Sequence, residues 1–230
     1  ISGVGFAPDV VAVKNATVAV SMVYRSRLEP GDTSKRLGSA VIAADKIQKL
    51  EPDGFRVGTH GDVNTNTVVY YYLAIQEDPR DCKILAYTGD GADGRAFTGV
   101  GFAPAYLLII NNSSAETNWQ RFNTNSGDEA LPFTASGTSA DTIQSLDTDG
   151  FTLGANTFGP NVAGTQYYAL CLKEVSGLCE VLTYTGTGVD GLAVGTTDFT
   201  PDFVLVKGET AQKAAIRFED QAGDLSSLID

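Results

Sequence analysis

The sequence predicts an all-β chain, a tandem array of β-sandwich domains of jelly-roll or immunoglobulin-like kind, one copy per about 96 residues. Three observations carry this. The stretch Val100–Asn112, VGFAPAYLLIINN, has a copy at Val4–Asn15, VGFAPDVVAVKN, and another at Thr197–Gly208, TDFTPDFVLVKG. This makes Phe6, Phe102 and Phe199 equivalent, at spacings of 96 and 97 residues. A period of that length is too long for a solenoid repeat and matches a small domain. Asp53-Gly54-Phe55 and Asp149-Gly150-Phe151 recur at the same spacing. Asp-Gly between apolar segments signals a hairpin, because Gly54 and Gly150 accept positive φ. Finally, 25 Gly stand against one Met, with many Thr and Val, a composition that suits strands joined by tight turns.

Element by element, the first copy (1–80) begins with an apolar strand at Val10–Lys14 and a second at Val18–Arg25, then a polar loop at Pro30-Gly31-Asp32. Ala40–Leu50, AVIAADKIQKL, reads as amphipathic helix in isolation. Its counterpart Ser136–Leu146, SGTSADTIQSL, has poor helix propensity, so both are read as a loop entering a strand. Return strands come next at Phe55–Gly58 and Phe151–Gly154, then aromatic closing strands at Thr67–Gln76 and Thr165–Lys173. The second copy (81–177) adds an opening strand, Lys83–Thr88, which the first lacks. The partial third copy (178–230) opens with Val181–Thr185 and lacks the hairpin and closing strand. Its ragged end, like the missing opening strand of the first, leaves sheet edges to be completed either by residues beyond Asp230 or by a strand from a neighbouring copy.

The formal charge of −12 argues against a nucleic-acid partner, since phosphate binding needs a basic footprint. No apolar run is long enough to span a membrane. The chain starts at Ile1 without an initiator Met, which points to a processed or partial piece of something longer.

Candidate chemistry is sparse. Gly89–Gly94 and Gly186–Gly191 match GxGxxG, but strand-like residues come after them where a dinucleotide site needs a helix. Asp90 and Asp93 in that loop are weak calcium candidates, because the sibling loop has Thr187 in place of Asp90. Arg25, Arg121 and Arg217 recur at 96-residue spacing, each with a Gly-Asp pair downstream that ends at Asp32, Asp128 and Asp224. The favoured reading is an arginine that pins its loop through carbonyls or a carboxylate; the alternative is a charged contact between neighbours. The only histidine, His60, is read as a surface loop residue without the partners of a catalytic triad or metal site. Cys171 and Cys179 flank a possible hairpin, so a disulfide is open there, while buried free thiols are favoured for these and Cys82. No catalytic residue is nominated, and no cofactor beyond the calcium candidate.

The motifs TDFTPDFVLVKG, LDTDGFTLGAN and YYALCLKE together resemble an uncharacterised β-rich repeat of bacteriophage tail and tail-fibre proteins. The resemblance covers both full copies and half of the third. It implies a non-enzymatic structural or adhesive protein on the virion surface, in a tail fibre, spike or capsid decoration. Its partners would be further copies, other virion proteins and, for host attachment, a surface glycan. The rival expectation is a secreted bacterial array of carbohydrate-binding modules, for which exposed aromatics at Tyr70–Tyr72 or Trp119 would supply stacking surfaces.

Overall fold

The computed structural model describes residues 1–230 except 18–20, 39, 113–114, 196–197, 222, 224–225 and 230. Asp224, Thr197 and the start of the Val18–Arg25 segment therefore lie outside the described residues. Among those described, the chain is all-β, with eighteen strands in five sheets and no helix.

The N-terminal region supplies β1 (Val10–Asn15), β2 (Val23–Ser26), β3 (Lys35–Arg36), β4 (Ile47–Glu51), β5 (Gly54–Val57) and β6 (Tyr70–Ile75). They form a four-stranded sheet of order β3-β2-β1-β6 and a separate hairpin, β4-β5. Residues 40–46 carry no regular structure, so the amphipathic look of Ala40–Leu50 is overruled and its end becomes β4. The expected Val18–Arg25 strand reaches strand geometry only from Val23.

The middle region supplies β7 (Cys82–Thr88), β8 (Arg95–Thr98), β9 (Tyr106–Asn111), β10 (Trp119–Phe122), β11 (Glu129–Pro132), β12 (Ser139–Ala140), β13 (Ile143–Asp147), β14 (Gly150–Leu153) and β15 (Gln166–Leu172). Six of these form a sheet of order β12-β11-β10-β9-β15-β7, and β13-β14-β8 form a second. The C-terminal region supplies β16 (Phe203–Val206), β17 (Ala214–Phe218) and β18 (Ser227–Ile229), hydrogen-bonded in that order.

Registers agree between regions. Val11 pairs with Arg25, Leu107 with Arg121, and Val204 with Arg217. Leu50 opposes Phe55 as Leu146 opposes Phe151, and each hairpin has a register shift three to four residues before its turn, at Ile47/Lys49 and Ile143/Ser145. The tight turns themselves are Pro52-Asp53 and Thr148-Asp149. Gly54 and Gly150 are the first residues of the return strands, at φ +147° and +152°. A Cβ on Gly54 would sit 2.3 Å from the Ile1 carbonyl oxygen, and one on Gly150 would sit 1.9 Å from that of Phe97. Glycine is thus required there by a neighbouring backbone as well as by φ.

Three apolar clusters hold the sheets. Leu107, Ile109, Tyr167 and Cys171 of the six-stranded sheet pack against Phe151 and Leu153 of the three-stranded one, with Phe102 at the rim. Val11, Val13 and Val23 pack in the same way against Ile47 and Phe55. The third cluster joins the opposite faces of all the larger sheets: Val10, Ala12 and Tyr24; Leu108, Ile110 and Leu170; Ala214, Ile216 and Phe218. Both β1 and β9 are consequently buried on both faces. That is why their sequences are continuous apolar runs rather than alternating ones.

One expectation is corrected, and one equivalence proves uneven. Val181–Thr185 forms no strand, although its sequence matches β7. β7 exists by pairing with β15, and among the described residues the C-terminal sheet, β16-β17-β18, holds no equivalent of β15. Phe6 is only half-buried, whereas Phe102 is buried. Phe102 packs with Phe151 and Leu153 of a three-stranded sheet, while among the described residues the β4-β5 hairpin is extended by the Ser2–Gly54 bridge alone.

Candidate interaction surfaces and the loops that frame them

The loops after β2, β10 and β17 are built around the recurring arginines. Arg25 donates to the carbonyls of Gly31 at 2.6 Å, Glu29 at 3.2 Å and Ile47 at 3.3 Å, and also to that of Thr33. Arg121 donates to Gly127 at 2.7 Å, Ile143 at 3.0 Å and Asn125 at 3.3 Å, and also to Glu129. Arg217 donates to Gly223 at 2.7 Å and Gln221 at 3.4 Å. A planar five-donor guanidinium satisfies several carbonyls that a tight loop removes from the ladder, which a lysine cannot do. In the first two regions it also ties the loop to the hairpin strand, through Ile47 and Ile143. The neighbouring aspartates do other work: Asp32 accepts from the Asp45 amide at 3.3 Å and from Gln48 Nε2 at 3.1 Å. The main-chain carbonyl of Asp128 accepts from the Asp141 amide at 3.2 Å.

Sequence reasoning missed a companion position four residues after each arginine. Asn125 Oδ1 accepts from the Phe122 amide at 2.8 Å, Gln221 Oε1 from the Phe218 amide at 3.4 Å, and Glu29 Oε2 from the Ser26 amide. Glu, Asn and Gln share only a side-chain oxygen, and a three-way comparison of the copies would have found it. Glu29 is the odd member: burial pushes its carboxyl up to about 8, against the Ser26 hydrogen bonds and the Arg25 charge. Burial likewise lowers Lys35 to about 8, although its ammonium donates to the Asn111 carbonyl.

A second missed device closes the GxGF segments. Asp53 accepts from the amides of Gly3 and Gly5 at 3.0 and 2.7 Å, and Asp149 from those of Gly99 and Gly101 at 3.0 and 2.6 Å. These bonds hold the Asp149 carboxyl below the usual carboxylate range. The Gly-x-Gly spacing was the signal that could have found it.

The Gly89–Gly94 loop runs into β8 rather than a helix, which removes the context of a dinucleotide site. Asp90 accepts from the Ala92 amide and from Asn161 Nδ2 and lies 3.3 Å from Arg95 Nε, whereas Asp93 accepts from Gln144 Nε2 at 2.7 Å. The two carboxylates therefore point to different partners, and no group of three or more metal-ligating side chains occurs among the described residues. The half-buried His60 accepts through Nδ1 from the Asp62 amide at 3.1 Å. All three cysteines are free thiols, so the Cys171–Cys179 disulfide is not formed. Cys171 lies inside the strand β15 opposite Lys83, while Cys179 closes its own turn with Val175. Burial pushes the Cys82 and Cys171 thiols up to about 12, which leaves them inert.

Of the aromatics named as stacking surfaces, Trp119 is buried and donates through Nε1 to the Phe158 carbonyl at 3.0 Å. Tyr70 and Tyr71 are half-buried; Tyr72 is exposed, edge-on to Phe55. A shallow open cleft beside Pro104, Arg121, Asp147 and Lys173 lies at one end of the middle region.

A domain of unknown function, DUF7483, matches residues 1–131, more than half of the sequence. The chain belongs to this family. The DUF7483 match runs from the N-terminal sheet through β10 and nearly to the end of β11, so it bridges the first two regions. No curated protein and no solved structure matches the chain.

Proposed function

We propose that this DUF7483 protein is a non-enzymatic structural or adhesive component of a bacteriophage virion, in a tail fibre, spike or capsid decoration. In this reading it is a tandem array of β-sandwich units, with residues 1–80, 81–177 and 178–230 as successive copies. The observation that carries it is the common register of the repeated strands, joined to a single apolar cluster drawn from all three regions. Repeated units with loops pinned by internal arginine and aspartate bonds make a rigid body suited to an extracellular assembly. The resemblance of the strand motifs to a repeat of phage tail proteins suggests the virion setting. The acidic surface suits a particle that must resist non-specific association.

Mass spectrometry and immunogold labelling of purified particles encoded by the same genome test this. The expected result is the chain at a fixed, repeated position on the particle. Its absence from purified particles would overturn the reading. The rival array of carbohydrate-binding modules loses Trp119 as a platform and keeps Tyr72, and a glycan array probed with Tyr72→Ala as control separates the two.

A further inference from the structure

We infer that the open cleft at the end of the middle region is a binding site for a neutral sugar, held by Asn123, Asp147, Lys173 and Glu174 over Pro104 and Leu146. This rests on the adhesive reading and deepens it, by giving a surface glycan its place on the molecule.

The first two regions share a backbone frame at this end and differ in the side chains that stand on it. The Arg27 amide donates to the Asp9 carbonyl at 2.8 Å, as the Asn123 amide does to that of Ala105. Glu77 Oε1 accepts from the Ile84 amide at 3.1 Å, as Glu174 Oε1 does from the Val181 amide at 3.4 Å. On this frame the N-terminal region builds ion pairs that satisfy one another. Arg27 Nε lies 2.9 Å from Asp9 Oδ1, and the same guanidinium pairs with Glu77. Glu51 is held by Lys49 at 3.2 Å and by Arg56 at 2.9 Å. The middle region puts a small neutral group in place of each of these cations: Asn123 for Arg27, Ser145 for Lys49 and Thr152 for Arg56. Ala105 stands where the first region has Asp9. Asp147 accepts from the Ser145 and Thr152 hydroxyls at 2.7 and 2.8 Å. Beside Asn123 a cleft of about 490 Å³ opens.

The chemistry of the lining selects the ligand. Asn123 and Glu174 are exposed, and Lys173 is 45% exposed with its ammonium 3.7 Å from Asp81 Oδ1. Asn123 brings donors and an acceptor, Lys173 brings donors, and Asp147 and Glu174 bring acceptors. Vicinal sugar hydroxyls donate and accept at once, so they match this mixture. An anion would meet two carboxylates against one ammonium. Arg121, the other cation on the cleft wall, directs its guanidinium to the loop carbonyls of Gly127, Ile143 and Asn125. A metal ion would need a group of three or more ligating side chains, which does not occur among the described residues. The C–H face of a sugar ring would rest on Pro104 and Leu146. So open a site implies millimolar affinity for a single sugar, raised where several copies engage one surface.

Amide chemical-shift mapping of the 230-residue chain with D-glucose, D-galactose, D-mannose and N-acetyl-D-glucosamine, each at millimolar concentration, tests the inference. Sodium sulfate is the ionic control. The expected result is saturable perturbation by at least one sugar, confined to amides of the cleft, those of Asn123, Asp147 and Glu174 among them. E174Q, which keeps an oxygen for the Val181 amide, should weaken that sugar about tenfold. A105D/N123R should abolish binding without lowering the melting temperature, because it rebuilds the Asp9–Arg27–Glu77 arrangement in the middle region. Silence toward all four sugars overturns the inference, as does a response to sulfate alone, perturbation confined to other surfaces, or sugar binding that either variant leaves unchanged. These outcomes report on the cleft, whereas the virion reading stands or falls on particle labelling.

Discussion

The strands β9 and β16 share a sequence pattern and differ in surroundings. β9, YLLIIN, is buried at every residue, because one face meets Phe151 and Leu153 and the other meets the central cluster. β16, FVLV, turns Phe203 and Leu205 to that same central cluster and leaves Val204 and Val206 at 38% and 36% exposure. The face that Leu107 and Ile109 present to a covering sheet is, in β16, presented to solvent. A continuous apolar run therefore encodes two separate contacts, and only one of them is made in the C-terminal sheet.

That difference predicts unequal costs for the same truncation. Phe102→Ala should cost about 3–5 kcal/mol, since it empties a buried site, and Phe199→Ala clearly less, because Phe199 is only half-buried. Denaturant unfolding measures both, and equal costs would end the comparison. Leu107→Ala should cost about 2–5 kcal/mol, while Val204→Ala stays within about 0.5 kcal/mol. A large loss at Val204 would mean that its face is covered in solution.

Glu29 sharpens the comparison through pH. Its siblings Asn125 and Gln221 do the same bonding with a neutral amide. The folded carboxyl keeps its proton up to about 8, whereas an unfolded one releases it near about 4.3. Its contribution to stability is thus present below the lower value and is lost as pH rises toward the upper one, on the order of a few kcal/mol. Lys35, lowered to about 8, acts on the alkaline side: stability recovers as pH rises from there toward about 10.4, where an unfolded lysine gives up its proton. Melting temperature against pH should dip near 8 in the wild type, and Glu29→Gln should remove the acid-side fall. A variant that keeps that slope would disprove the assignment to Glu29. The smallest effect belongs to Asp149→Asn, which weakens the bonds to Gly99 and Gly101 without emptying any core. Its melting temperature should drop slightly near neutral pH and match the wild type in strong acid, where Asp149 is protonated. A deficit that persists in strong acid would locate the loss elsewhere.

Much of the strand order was legible, because a repeated sequence lets one copy correct another. Ser136–Leu146 overruled the helical look of Ala40–Leu50, and the second copy of Asp-Gly-Phe marked both hairpins. The loops were legible only in part. Arg25 and Arg121 stand out by identity, but their carbonyl partners carry no side-chain signature, and Glu29, Asn125 and Gln221 hide one shared atom behind three residue types. Val181–Thr185 was read as a strand because propensity is local, while a ladder needs a partner elsewhere in the chain. Trp119 was offered as a surface group on composition alone. Its burial depends on which strand covers it, and a linear pattern does not record that.

The central cluster has a consequence for how the protein tolerates change. Val10, Leu108 and Ile216 sit in separate sheets, yet they belong to one apolar body. A substitution at any of them is felt by two neighbouring regions, so pairs of substitutions across the cluster should be non-additive, with one altered volume compensated from a distant part of the sequence. The regions then rise and fall together: amide exchange from β1, β9 and β17 should proceed through one shared opening. A chain that reads as separable modules would behave, in evolution and in the test tube, as a single cooperative object.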